Sequence, residues 1–114
     1  MSNQEKVNQL KKTGLFLKWF NGLKDPIGKS AIIKRIERAE KGNFGDHKSV
    51  GDGVFEMRIA VKSGYRVYYG KMGDKIYLLL CGGNKSSQEK DIALAKDVWN
   101  LVKQKEKADD FISK

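Results

Sequence analysis

The chain of 114 residues carries 23 Lys or Arg against 14 Asp or Glu, a formal net charge of +9, with 39% hydrophobic residues in periodic runs that argue against disorder. A single Cys (Cys81) excludes an internal disulfide or multi-thiolate metal site, and a single His (His47) leaves no basis for a His-built metal centre, so neither metal nor cofactor is expected. The opening residues lack a signal-peptide core and the longest apolar run, Ile76 to Cys81, is too short for a bilayer, so a cytoplasmic protein that does not engage a membrane is expected.

Residues 1–12 are polar and weakly patterned, and read as a tail, a helix start or a short edge strand. From Thr13 the segment Gly14-Leu15-Phe16-Leu17-Lys18-Trp19-Phe20 has helical apolar spacing, stopped near Gly22. Asp25 suits an N-cap and Pro26 the first position of a second helix. Ile32, Ile33, Ile36 and Ala39 form its apolar stripe, Lys34, Arg35, Arg38 and Lys41 its basic outer face, and Gly42 stands where a C′ glycine would.

Residues 43–53, holding Gly45, Gly51 and Gly53, read as a loop, with His47 as loop decoration. The period then changes to two: Phe55, Met57, Ile59 and Val61 alternate with Glu56, Arg58 and Ala60. Ser63-Gly64 predicts a turn, Tyr65 to Tyr69 a second strand, Gly73-Asp74 another turn, and Lys75 to Cys81 a central strand apolar on both sides. Cys81 reads as a small buried apolar residue. Ser86 with Glu89 fits a capping box before a last amphipathic helix carrying Ile92, Ala95, Val98 or Trp99, and Val102 to about residue 107. One α+β domain over 1–114 is predicted: two N-terminal helices and a C-terminal helix packed on one face of a three- to four-stranded antiparallel sheet.

Strand parity yields a site. With Phe55, Met57, Tyr65, Val67 and Tyr69 on the core side, Glu56, Arg58, Arg66 and Tyr68 share the open face, joined by Lys48 before the first strand and Lys85 after the third. Two of the four arginines lie in this set, and residues 1–88 hold all the net charge, 17 basic against 8 acidic side chains. Such a hollow suits a polyanion. No P-loop or carboxylate cluster for Mg²⁺ is present, so phosphate chemistry would use the 2′-hydroxyl of RNA as nucleophile and protein cations to stabilise the phosphorane.

The segments Gly42 to Lys48, Val50 to Arg58, Gly64-Tyr65-Arg66-Val67-Tyr68-Tyr69 and Leu79 to Gln88 resemble, in that order, the RelE/ParE superfamily in its HigB-like, phage Gp49-type branch. The resemblance, over roughly residues 14–100, implies a RelE-like microdomain and a toxin of a type II toxin–antitoxin module, an addiction-module killer protein. It implies a metal-independent, ribosome-dependent mRNA endoribonuclease that arrests growth by blocking translation. It also implies an adjacent helix-turn-helix antitoxin, through which alone operator DNA would be met. Arg66 matches the family arginine on the scissile phosphate, Arg58 a basic residue of the preceding strand and Lys85 the basic residue after the last. Lys48 joins the RNA-gripping loop, with Lys34, Arg35 and Arg38 of the second helix gripping rRNA or mRNA. Where relatives place a catalytic aromatic or imidazole after Lys85, this chain has Ser86, Ser87 and Gln88, leaving Glu56 or Tyr68 as base. ParE-like relatives, which inhibit DNA gyrase without cleaving RNA, give the alternative, and an inactive nucleic-acid-binding relative a third.

Overall fold

A computed structural model describes residues 5–113. Its elements run β1 (Gln9–Lys12), α1 (Gly14–Gly22), α2 (Pro26–Glu40), β2 (His47–Gly51), β3 (Val54–Arg58), β4 (Arg66–Gly73), β5 (Ile76–Gly83), a 3₁₀ turn (Lys85–Ser87) and α3 (Gln88–Ser113). The fold is α+β, three helices on one five-stranded sheet of order β1-β5-β4-β3-β2. Every neighbouring pair is antiparallel except β1 with β5.

The helix ends follow local chemistry. The Thr13 hydroxyl accepts the Phe16 N–H at 2.9 Å and donates to the Leu80 carbonyl at 2.7 Å, capping α1 and tying it to β5. Asp25 caps α2 through the Gly28 N–H at 3.0 Å and accepts the Tyr65 hydroxyl at 2.9 Å. The Gly28 bond, then the Tyr65 bond, hold the Asp25 carboxyl below its ordinary range. Gly42, with φ +99°, ends α2 in the left-handed region, its N–H bonded to Ala39 and that of Asn43 to Arg38, as in a Schellman motif.

Three expectations need correction. The sheet has five strands where the sequence predicts three to four. Residues 9–12 take the short edge-strand reading, pairing parallel to β5, whereas the supposed loop contains a second edge, His47–Gly51, broken by a bulge between Ser49 and Gly51. Ile33 lies on the exposed side of α2, because only Ile32, Ile36 and Ala39 fall on the buried stripe. Asn84, not Ser86, is the cap before α3: its side chain accepts the Ser86 N–H while the Ser87 hydroxyl accepts the Asn84 N–H.

The largest correction concerns layering. The helices do not share one sheet face. Phe16, Ile32, Ile36 and Ala39 of α1 and α2 pack with Met57, Val67, Tyr69 and Leu79 on one side. Ala95 and Trp99 of α3 pack with Val54, Tyr68, Leu78, Leu80 and Cys81 on the other. β5 is apolar on both sides for this reason. Burial pushes the Cys81 thiol up to about 12, helped by the nearby Asp91 charge. Two tryptophans, one per layer, lie on bare backbone. A Cβ on Gly82 would stand 2.4 Å from the Trp19 ring, and one on Gly70 2.8 Å from the Trp99 ring.

Candidate anion site

The parity of β3 and β4 places Glu56, Arg58, Arg66 and Tyr68 on the α3 side of the sheet. Arg58 pairs with Arg66 across the two strands, and Glu56 pairs with Tyr68. Lys48 faces Glu56 across β2 and β3, so Lys48, Glu56 and Tyr68 form one row and Arg58 and Arg66 the next.

This face is not open where Glu56 and Tyr68 lie, since both are 0% exposed. The start of α3 roofs them, and Gln88, its first residue, donates to Glu56 Oε2 at 2.7 Å. The Tyr68 hydroxyl donates to the same oxygen at 3.1 Å, and Arg58 Nε donates to Oε1 at 3.2 Å. Arg66 Nε lies 3.6 Å from Oε2, an ion pair too long for a hydrogen bond. It is the one buried side-chain nitrogen or oxygen among the described residues without a hydrogen-bond partner. Burial alone would push the Glu56 carboxyl up; hydrogen bonds from Gln88, Arg58 and Tyr68 and the Arg66 charge outweigh it and hold the group below its ordinary value. Burial, then the Glu56 charge, push the Tyr68 phenol up, so it stays a neutral donor. The expectation of an exposed Glu56 and Tyr68 is therefore corrected: both are sealed beneath the cations that Glu56 orients.

The arginines emerge from this floor. The Arg58 side chain is 40% exposed and that of Arg66 13%. Arg66 Nη1 donates to the Gly64 carbonyl at 2.9 Å, while Arg66 Nη2 and both terminal nitrogens of Arg58 meet no acceptor among the described residues. Gly64, with φ +64°, makes the turn before β4, and the exposed Lys85 lays its stem against it: a Cβ there would stand 3.1 Å from Lys85 Cδ. The turn thus brings Lys85 beside Arg66, which faces Arg58 across the strands. Two guanidinium forks and an ammonium over a buried carboxylate can receive a single phosphate-like anion.

The cations of α2 lie elsewhere. Lys34, Arg35 and Arg38 line a shallow depression of about 180 Å³ with Ala31, Ile59 and Ala60 in the layer of α1 and α2. Only Arg35 reaches the site's backbone, where its Nη2 donates to the Arg58 carbonyl at 3.0 Å. Its guanidinium also fills the space a Cβ on Gly45 would need. Gln88 and Gly64 hold site residues in place and were not among the sequence candidates. Reading Asn84 as the cap would have put Gln88 at the start of α3, facing the sheet.

A family described as phage derived protein Gp49-like (DUF891) matches residues 18–106, which include Arg58, Arg66, Lys85 and Gln88. The chain is also similar to an uncharacterised protein of Haemophilus influenzae, 50% identical over 88 residues that cover 77% of this chain and 89% of that protein.

Proposed function

The chain belongs to the phage Gp49-like family, among the addiction-module toxins of the RelE and HigB type, and from that premise we propose that it is a metal-independent mRNA endoribonuclease acting on the ribosome. Membership implies a cognate antitoxin, which we take to be an adjacently encoded helix-turn-helix protein. The observation that carries the reading is the pair Arg58 and Arg66, opposite each other on one sheet face, drawn to one buried carboxylate and left with uncommitted terminal nitrogens beside Lys85.

In this reading the RNA 2′-oxygen attacks the adjacent phosphorus as the bond to the 5′-oxygen breaks, giving a 2′,3′-cyclic phosphate and a 5′-hydroxyl. Arg66 and Arg58 bind the phosphorane oxygens as charge builds on them. Lys85 supplies the proton for the departing 5′-oxygen, and water takes the proton of the 2′-hydroxyl. Glu56, sealed from substrate and itself held by the Tyr68 hydroxyl, keeps the two guanidinium groups in place. Lys48, on the same face, and Lys34, Arg35 and Arg38, in the other layer, contribute to the grip on ribosomal or messenger RNA.

Mapping of mRNA 5′ ends after brief induction tests this. Codon-phased cuts in translated messages, lost with Arg66→Ala, are expected. DNA-damage signalling without such cuts would transfer the protein to gyrase inhibition, and neither growth arrest nor cutting would leave a binding relative without activity.

A further inference from the structure

On the sheet face opposite Glu56, rings converge beside the α2 layer. Phe44 stacks on Tyr69 with centroids 5.1 Å apart and planes at 21°, and Tyr69 stacks on Phe55 at 5.6 Å and 22°. Phe44 also tilts against Tyr77 at 4.8 Å and against His47 at 5.9 Å. The Lys71 ammonium lies 5.9 Å from the Tyr77 ring centroid. These six residues line an open cavity of about 170 Å³.

We propose that this cavity binds one unstacked base of single-stranded RNA, with an adjoining phosphate at Lys71. Near-parallel rings are the surface on which a planar base stacks, whatever its identity. The rim is of one sign, with Lys71 and no carboxylate among the lining residues. Tyr69 is only 3% exposed, and its ring forms one wall of the cavity. His47 turns Nδ1 toward the Gly45 carbonyl at 2.8 Å, which leaves Nε2 for another group. A base edge can bond to that ring nitrogen. An apolar anchor from a protein partner would leave that ring nitrogen and the Lys71 ammonium without a partner, at a cost. Binding here does not rest on the cleavage reading, because the cavity opens on the face away from Arg58 and Arg66.

The test is titration of the full chain with 2′-O-methyl hexaribonucleotides, which lack the attacking hydroxyl, followed through aromatic ring resonances. Saturable shifts at Phe44, Tyr69 and Tyr77 are expected. Lys71 is exposed, so Lys71→Gln keeps the fold and should lower the slope of log affinity against log salt by about 0.7. Phe44→Leu should weaken binding about tenfold. Absence of ring shifts, shifts confined to Arg58, Arg66 and Lys85, or unchanged affinity in both variants would each overturn the proposal.

Discussion

Arg58 and Arg66 stand directly opposite each other on β3 and β4, and each brings its Nε to a different oxygen of Glu56, at 3.2 and 3.6 Å. Two like charges on neighbouring strands would ordinarily repel. The buried carboxylate offsets that repulsion and aligns the two forks, which is what a site for a doubly contacted phosphate requires.

Removing Arg66 should therefore affect chemistry more than fold. Arg66→Ala is expected to lower RNA cleavage by about 10²–10³, the usual effect of deleting one donor to a developing oxyanion. Arg66→Lys should recover only part of the rate, because an ammonium cannot contact two oxygens in the plane of a fork. Glu56 keeps its bonds from Gln88, Tyr68 and Arg58, so the Ala variant should lose about 1–3 kcal/mol of stability and remain folded. Circular dichroism with in vitro ribosome cleavage separates the two effects. Full cleavage by the folded variant would remove Arg66 from the site.

The Glu56 carboxyl is held below its ordinary value of 4.5, so between the folded and unfolded values the unfolded chain binds more protons. Its contribution to stability is complete above about 4.5 and is lost as pH falls through the folded value. Urea midpoints measured down to acid pH should fall steeply for the native chain and less steeply for Glu56→Gln. Asp25, also held low, keeps some slope in both. Identical slopes would show that the cluster does not favour the charged carboxylate.

Strand parity made much of this legible. The alternation from Phe55 to Arg58 and from Tyr65 to Tyr69 is enough to sort core from site, and the capping residues Asp25 and Pro26 locate α2. The covering of the site was not read from it, although the doubly apolar run from Ile76 to Cys81 implied a second layer, because nothing local says that α3 supplies it. The edge strands are harder to read for a different reason: the segment of β1 fits three alternatives, and that of β2 reads as a loop. In β1 only Leu10 is buried, and β2 has no fully buried residue, so neither shows the period of two that a half-covered strand imposes. Their pairing is a tertiary consequence. Gln88 was hidden likewise, since its partner Glu56 is 32 residues away.

Trp99 lies over Gly70 on β4, with three ring atoms 2.8 Å from where a Cβ would be. Trp99 is 5% exposed and has little room to retreat. Gly70→Ala should cost about 1–3 kcal/mol by overpacking. In Trp99→Leu, already destabilised by the lost ring, the same Gly70→Ala change should cost much less. Urea unfolding of the four chains in this cycle reads the coupling directly. Additive losses would mean that the ring and the bare backbone are not in mutual contact.

Gly64 links backbone conformation to the site. Its φ of +64° excludes most side chains without strain, its carbonyl holds Arg66 Nη1 at 2.9 Å, and the Lys85 stem lies against its bare Cα. Asn tolerates the left-handed region, so Gly64→Asn should keep the turn with a stability loss below about 1 kcal/mol. Its Cβ would nevertheless meet Lys85 Cβ, Cγ and Cδ at 3.1–3.3 Å and push that side chain from its place beside Arg66. Cleavage should then fall about tenfold or more, within the range for loss of a positioned proton donor. Combining Gly64→Asn with Lys85→Ala distinguishes displacement of Lys85 from any other cause. If the turn acts through Lys85, the double variant cleaves no more slowly than Lys85→Ala alone. Independent, multiplying losses would show that Gly64 acts through the Arg66 bond instead, and that Lys85 keeps its place without it.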